Sequence, residues 1–150
     1  MKNKETKLYN ILFPIWFIVL IPVSWLVILP GNFIIDSLVL LITMRAIGIV
    51  GKKEMYKKSI LKVWLFGFLS DIIGAAFLFV TIMGLELAIP GEDYVYLAIA
   101  IIISAIFIFI FNYKISFKGY DRGTRFKMAL SFAIFTAPYT FLIPLDWIYY

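Results

Sequence analysis

The chain contains no cysteine and no histidine. That double absence excludes disulfides, thiol chemistry, Cys/His zinc sites, His-ligated haem and a histidine general base supplied by this chain. Charge is also scarce: 15% of residues are Asp, Glu, Lys or Arg, against about a quarter in soluble domains. Catalytic motifs are missing as well. No Gly-x-Gly-Asp, Gly-x-Ser-x-Gly or His-Glu-x-x-His occurs, and no acidic cluster suits metal-phosphate chemistry. The reading therefore leans away from an enzyme, and nothing implies a cofactor.

What the chain has instead is apolar surface: 63% hydrophobic residues and a mean hydropathy of +0.99. Its 150 residues suit a single transmembrane domain, 1–150, with no room for a separate extramembrane one. A helix that crosses ~30 Å of hydrocarbon needs about 20 residues. The apolar runs predict an all-α integral membrane protein, a compact bundle of five transmembrane helices at about 9–29, 33–50, 59–85, 94–111 and 126–143. A β-barrel needs strands of alternating polarity, whereas Ile99–Phe111 is apolar all round.

Proline and glycine punctuate these runs. Pro30-Gly31-Asn32 predicts a tight turn that folds the first two spans into a hairpin. Pro90-Gly91 echoes it in the acidic segment 86–93, which reads as a second turn at the same end. Pro22 and Pro138 predict kinks in the first and fifth spans, since each removes a backbone donor. Thr136, Tyr139 and Thr140 are placed to bond the carbonyls that Pro138 frees. The first apolar run exceeds the ~7–15 residues of a signal-peptide core and has no small-x-small site after it, so it reads as a retained span.

All fourteen Lys and Arg residues fall in three stretches, at 2–7, 45–62 and 114–127. With five spans, all three lie on one side. Lys and Arg near span ends are kept in the cytoplasm, which predicts a cytoplasmic N-terminus and an extracytoplasmic C-terminus. The location is then a membrane crossed several times, the plasma membrane in a prokaryote. Topology thus accounts for the net charge of +5 without nucleic acid. The same basic loops attract anionic lipid headgroups, by roughly 1 kcal/mol per cation near the surface.

An ionisable residue inside a span marks a functional site by default, because insertion costs it several kcal/mol. Asp71, mid-way along the third span, is the central candidate, as a proton or cation site or as a hydrogen-bonded structural carboxyl. Ser70 adjoins it. Gly67, Asp71, Gly74 and Ala75 share one helical face, small enough for a neighbouring helix to approach closely. Asp36 is expected near the outer end of the second span, Arg45 near its inner end and Asn112 at the inner end of the fourth. At 1.5 Å per residue, Asp36 and Asp71 then differ in depth by about 10 Å, which predicts two separate carboxylates rather than a dyad.

Two functions follow. The first is a small transporter or channel-like protein with Asp71 as its central site. Five short spans enclose little volume, so a homo-oligomer about the membrane normal is expected. The second is a non-catalytic accessory, assembly or immunity-type subunit that binds another membrane protein. The near absence of polar groups in the fourth span suits it.

Overall fold

In a computed structural model of the chain, residues 19–84 and 93–142 are described, and every regular element among them is helical. α1 spans Trp25–Ile47 after a short 3-10 turn, Pro22–Ser24. α2 spans Lys52–Leu78 and continues into a wider π-helical turn, Phe79–Gly84. α3 spans Asp93–Phe111 and likewise widens over Asn112–Ser116. α4 spans Arg122–Phe135, and a 3-10 turn follows at Tyr139–Leu142.

Three of these helices are long and apolar enough to cross a membrane: Pro22–Ile47, Lys52–Ile82 and Tyr94–Ser116. The chain is therefore compatible with a membrane location. α4, with 14 residues, reaches roughly 21 Å and falls short of the hydrocarbon thickness by itself. The first half of the expected first span, 9–18, lies outside the described residues, as does the Pro90-Gly91 turn.

The largest departure from expectation concerns Pro30-Gly31-Asn32. These residues form no turn: they lie inside α1, which runs without a break from Trp25 to Ile47. The end of the expected first span and most of the second are thus one helix. Two forces favour this outcome. An apolar surrounding offers no water to replace a broken helix's hydrogen bonds, so helical proline is tolerated there. Neighbouring contacts also hold the segment in the helix. The indole N–H of Trp64 donates to the Leu29 carbonyl at 2.8 Å, and its ring meets Phe33 edge-on. Trp25 packs edge-on against Phe68. Pro22 makes no kink either. It opens the 3-10 turn, where its missing N–H leaves no acceptor unpaired.

α1 ends at Gly48, whose φ of 76° is left-handed. The Gly48 and Ile49 amides bond back to Arg45 and Met44, the double closure that glycine permits. Within α2, Lys58 donates to Glu54 at 2.6 Å, the favourable i, i+4 order. α4 stops before Pro138 instead of bending through it. Thr136 donates its hydroxyl to the Phe132 carbonyl, and the Tyr139 hydroxyl donates to Ile134 at 2.6 Å. Ile134 is four residues before Pro138, so the phenol replaces the N–H that proline lacks.

The Asp121 carboxylate caps α4 by accepting from the Thr124 amide at 2.9 Å. That bond holds the carboxyl below the ordinary carboxylate range. A depressed carboxyl stabilises the fold above its unfolded pKa, and the benefit disappears as pH falls through its folded value. Asp121→Ala should therefore lower the thermal midpoint at neutral pH, and Asp121→Asn should largely keep the cap. Melts followed by circular dichroism should show the wild-type advantage over Ala shrinking on acidification.

Two apolar clusters fill the bundle. One joins Leu40 and Met44 of α1 to Met55 and Val63 of α2, Ile108 of α3 and Phe132 of α4. The other joins Phe68, Ala75 and Leu78 of α2 to Ala100 of α3 and Phe141. Buried polar groups accompany both, among them Thr43 and Ser59 beside the first and Ser70 and Asp71 beside the second.

Candidate functional site

α1 and α2 are antiparallel neighbours, and a continuous α1 places Asp36 midway between Trp25 and Ile47. Its carboxylate Oδ2 lies 3.4 Å from where a Cβ would stand on Gly67. Asp71 is one turn further along α2, on the same face. The side-chain amide of Asn32, one turn before Asp36, donates to Asp71 Oδ2 at 3.4 Å. Asp36, Gly67 and Asp71 are all buried, Asp36 and Asp71 at 4% and 9% exposure.

The expected place of Asp36, near the outer end of a helix, is thereby corrected. It rested on a turn at Pro30-Gly31-Asn32 that would have put Asp36 near a helix end. With that turn absent, Asn32 and Asp36 face Asp71 and Gly67 on adjoining turns of α1 and α2. A Cβ at Gly67 would stand in ordinary contact with Asp36 Oδ2, which places Asp36 directly against this turn of α2.

Polar capacity in this layer is not exhausted. Asp71 Oδ1 is buried and has no hydrogen-bond partner. A carboxylate oxygen so placed calls for a proton, a cation or a ligand donor, because burial without a partner costs about 1–3 kcal/mol, more if charged. Among the described residues no group of three acidic ligands is assembled for a metal ion. With His and Cys absent, the oxygen-only site suits a proton or a hard cation rather than a soft transition metal.

The other candidates are dispersed. Ser70 turns its hydroxyl to the Phe66 carbonyl at 2.7 Å, and its own carbonyl accepts from Ser104 of α3 at 3.0 Å. Its visible bonds thus tie α2 internally and to α3. A Cβ on Gly74 would collide with Ser104 Oγ and lie 3.0 Å from the Ala100 carbonyl, so Gly74 permits close approach to α3. Ala75 is fully buried in the second apolar cluster. The face from Gly67 to Ala75 therefore serves two partners, α1 at Gly67 and Asp71 and α3 at Gly74.

Arg45 is exposed in the last turn of α1, and among the described residues no ion pair joins it to Asp71. Its place at a helix end suits a side chain reaching towards headgroups. Asn112 is fully buried where α3 widens, with both amide atoms unpartnered. It lies about 12 Å along α3 from Ser104, at 1.5 Å per residue. It belongs to the basic end of the bundle and not to the aspartate layer.

Asn32 was not among the residues expected to matter. Its signal in the sequence is the i, i+4 spacing to Asp36, which becomes visible only once α1 is continuous through Pro30. No protein-family model, no curated protein and no solved structure matches this chain, so its relationships neither add to nor restrict what this geometry supports.

Proposed function

We propose that the chain is a small multi-pass membrane protein that moves a proton or cation, with Asp36 and Asp71 as its shared central site. The observation that carries the reading is a pair of buried carboxylates on facing helices, with Asp71 Oδ1 lacking a hydrogen-bond partner among the described residues. Two bare negative charges there would repel and lack hydration, so the pair holds a proton or a cation between them. Asn32 orients Asp71 from α1. A charge that enters the layer binds Asp71 Oδ1, is shared with Asp36 and leaves when a second opening offers better solvation.

The orientation follows the cations. Lys58 and Lys62 of α2 come beside Lys114 and Lys118 beyond α3, and this basic end is assigned to the cytoplasm. A homo-oligomer about the membrane normal would supply the enclosed volume that three long helices offer only sparingly. Flux through proteoliposomes with Asp71→Asn tests the reading.

The alternative, an accessory subunit of another membrane protein, draws support from α3. Ile99, Ile102, Ile106 and Ile110 lie along it, each with at least a third of its surface exposed, a stripe that suits a partner helix as well as lipid. Co-purification of a partner in mild detergent, with no flux from the chain alone, would favour it.

A further inference from the structure

At the basic end, a cavity of about 490 Å³ opens between the first turns of α2 and the widened end of α3. Lys58, Ser59 and Lys62 line it from α2, and Lys114, Ser116 and Lys118 line it from the other side. Four lysines thus contribute to the walls of one concavity, and among the described residues no acidic one lines it. Glu54 holds Lys58 from outside the cavity, where both side chains are exposed. Asp121, close in sequence to Lys118, directs its carboxylate to the Thr124 amide.

Two residues of the lining distinguish this cavity from an ordinary basic surface. Ser59 Oγ and Ser116 Oγ are both buried, at 0% and 5% residue exposure, and neither has a hydrogen-bond partner among the described residues. Buried hydroxyls normally find partners. Two unpartnered ones in a lining that also holds four lysines fit a ligand with several acceptor oxygens and negative charge. Carboxylates offer two such oxygens, whereas a phosphoryl group offers three and more charge. Lys serves phosphate well as a compact charge with three donors. The volume lies within the ~300–1,000 Å³ of small-molecule sites, ample for a phosphorylated headgroup.

We infer that this cavity is a binding site for a phosphoryl group, filled by the headgroup of an anionic phospholipid or by a soluble phosphate. The lysines supply charge neutralisation and the two serine hydroxyls donate to phosphoryl oxygens. Basic pockets between membrane helices are a known setting for phosphorylated lipid headgroups. This inference is independent of the aspartate layer and stands whether or not the protein transports anything.

The test uses the full-length purified protein in neutral detergent. Binding of dioctanoyl phosphatidylinositol 4-phosphate and of inorganic phosphate is measured by thermophoresis, with dioctanoyl phosphatidylcholine as the reference. The variants are Lys62→Gln with Lys114→Gln, Ser59→Ala with Ser116→Ala, and a charge-matched control away from the cavity, Lys52→Gln with Lys57→Gln. The cavity lysine pair should lose about tenfold or more in affinity, at ~1 kcal/mol per cation. The serine pair, which changes no charge, should lose about fivefold, as expected for net hydrogen bonds of ~0.5–1.5 kcal/mol. The control pair should stay within about twofold, its charges being screened at the surface. Tight binding of the short-chain lipid alone identifies a membrane headgroup, and comparable binding of inorganic phosphate identifies a soluble anion. Equal weakening by the control pair, an unaffected serine pair, or no preference over phosphatidylcholine would each overturn the proposal.

Discussion

Asp71→Asn should reduce flux through proteoliposomes to the protein-free baseline. Asparagine keeps the shape of the side chain and can still pair with Asn32, yet it cannot release a proton or neutralise a cation. Loading with a pH-sensitive dye, under a potassium–valinomycin potential, reads proton movement. Sodium and potassium uptake read the cation alternatives. Asp36→Asn should act in the same direction, and the double variant should be no worse than Asp71→Asn alone, because residues that act as one unit do not add. The same variants separate function from structure. If the aspartates are merely hydrogen-bonded supports, the substitutions leave flux unchanged and lower thermal stability. If they form the site, flux is lost and stability is kept or raised, since a neutral amide removes buried charge. Undiminished flux with Asp71→Asn removes that residue from the mechanism.

The second large effect is structural. Gly74→Val should destabilise the bundle by about 1–3 kcal/mol, the usual range for overpacking, or more. Even the first added carbon would collide with Ser104 Oγ and stand 3.0 Å from the Ala100 carbonyl, so backbone as well as side chain must move. Displacing Ser104 also strips the Ser70 carbonyl of its donor. The other helical glycines set the scale. A Cβ at Gly67 meets Asp36 Oδ2 at 3.4 Å, an ordinary contact, so Gly67→Ala should cost little. Gly31 has nothing within 4 Å in the middle of α1, and Gly31→Ala should be neutral or gain up to ~1 kcal/mol from helix propensity. Unfolding in detergent should therefore rank Gly74→Val far below Gly67→Ala, with Gly31→Ala at or above the wild type. A stable Gly74→Val would mean that α2 and α3 do not approach each other here.

These contrasts also show what the sequence could and could not reveal. Long apolar runs marked the three longest helices, because a helix surrounded by lipid must be apolar over about 20 residues whatever its neighbours. The i, i+4 arithmetic placed Gly67, Asp71 and Gly74 on adjoining positions, because periodicity is a local property of the backbone. Pro30-Gly31-Asn32 misled because its turn signal is equally local. Whether such a segment bends depends on what it packs against, and the Trp64 indole on the Leu29 carbonyl comes from a distant part of the chain. One error of that kind moved Asp36 from mid-helix to an end and hid Asn32, which donates to Asp71. Pro138 misled less. Its freed carbonyl and the tyrosine that serves it are five residues apart, within reach of local reasoning.

The account depends most on Asp36 and the Asp71 face of α2 sharing one layer, and a cysteine cross-link tests that directly. The chain has no cysteine of its own, so no background bond can form. Asp36→Cys combined with Gly67→Cys should oxidise to an intramolecular disulfide in the folded protein, seen as a mobility shift reversed by reductant. Disulfides require Cβ atoms about 3.5–4.5 Å apart, and the Asp36 side chain already reaches to 3.4 Å from the Gly67 Cβ position with its Oδ2, two bonds beyond its own Cβ. Asp36→Cys with Phe79→Cys, two helical turns beyond Asp71, should remain reduced under the same conditions. Cross-linking at 36 and 67 alone is the predicted result. A reduced 36–67 pair alongside an oxidised 36–79 pair would place Asp36 near the end of α2 and contradict the shared layer.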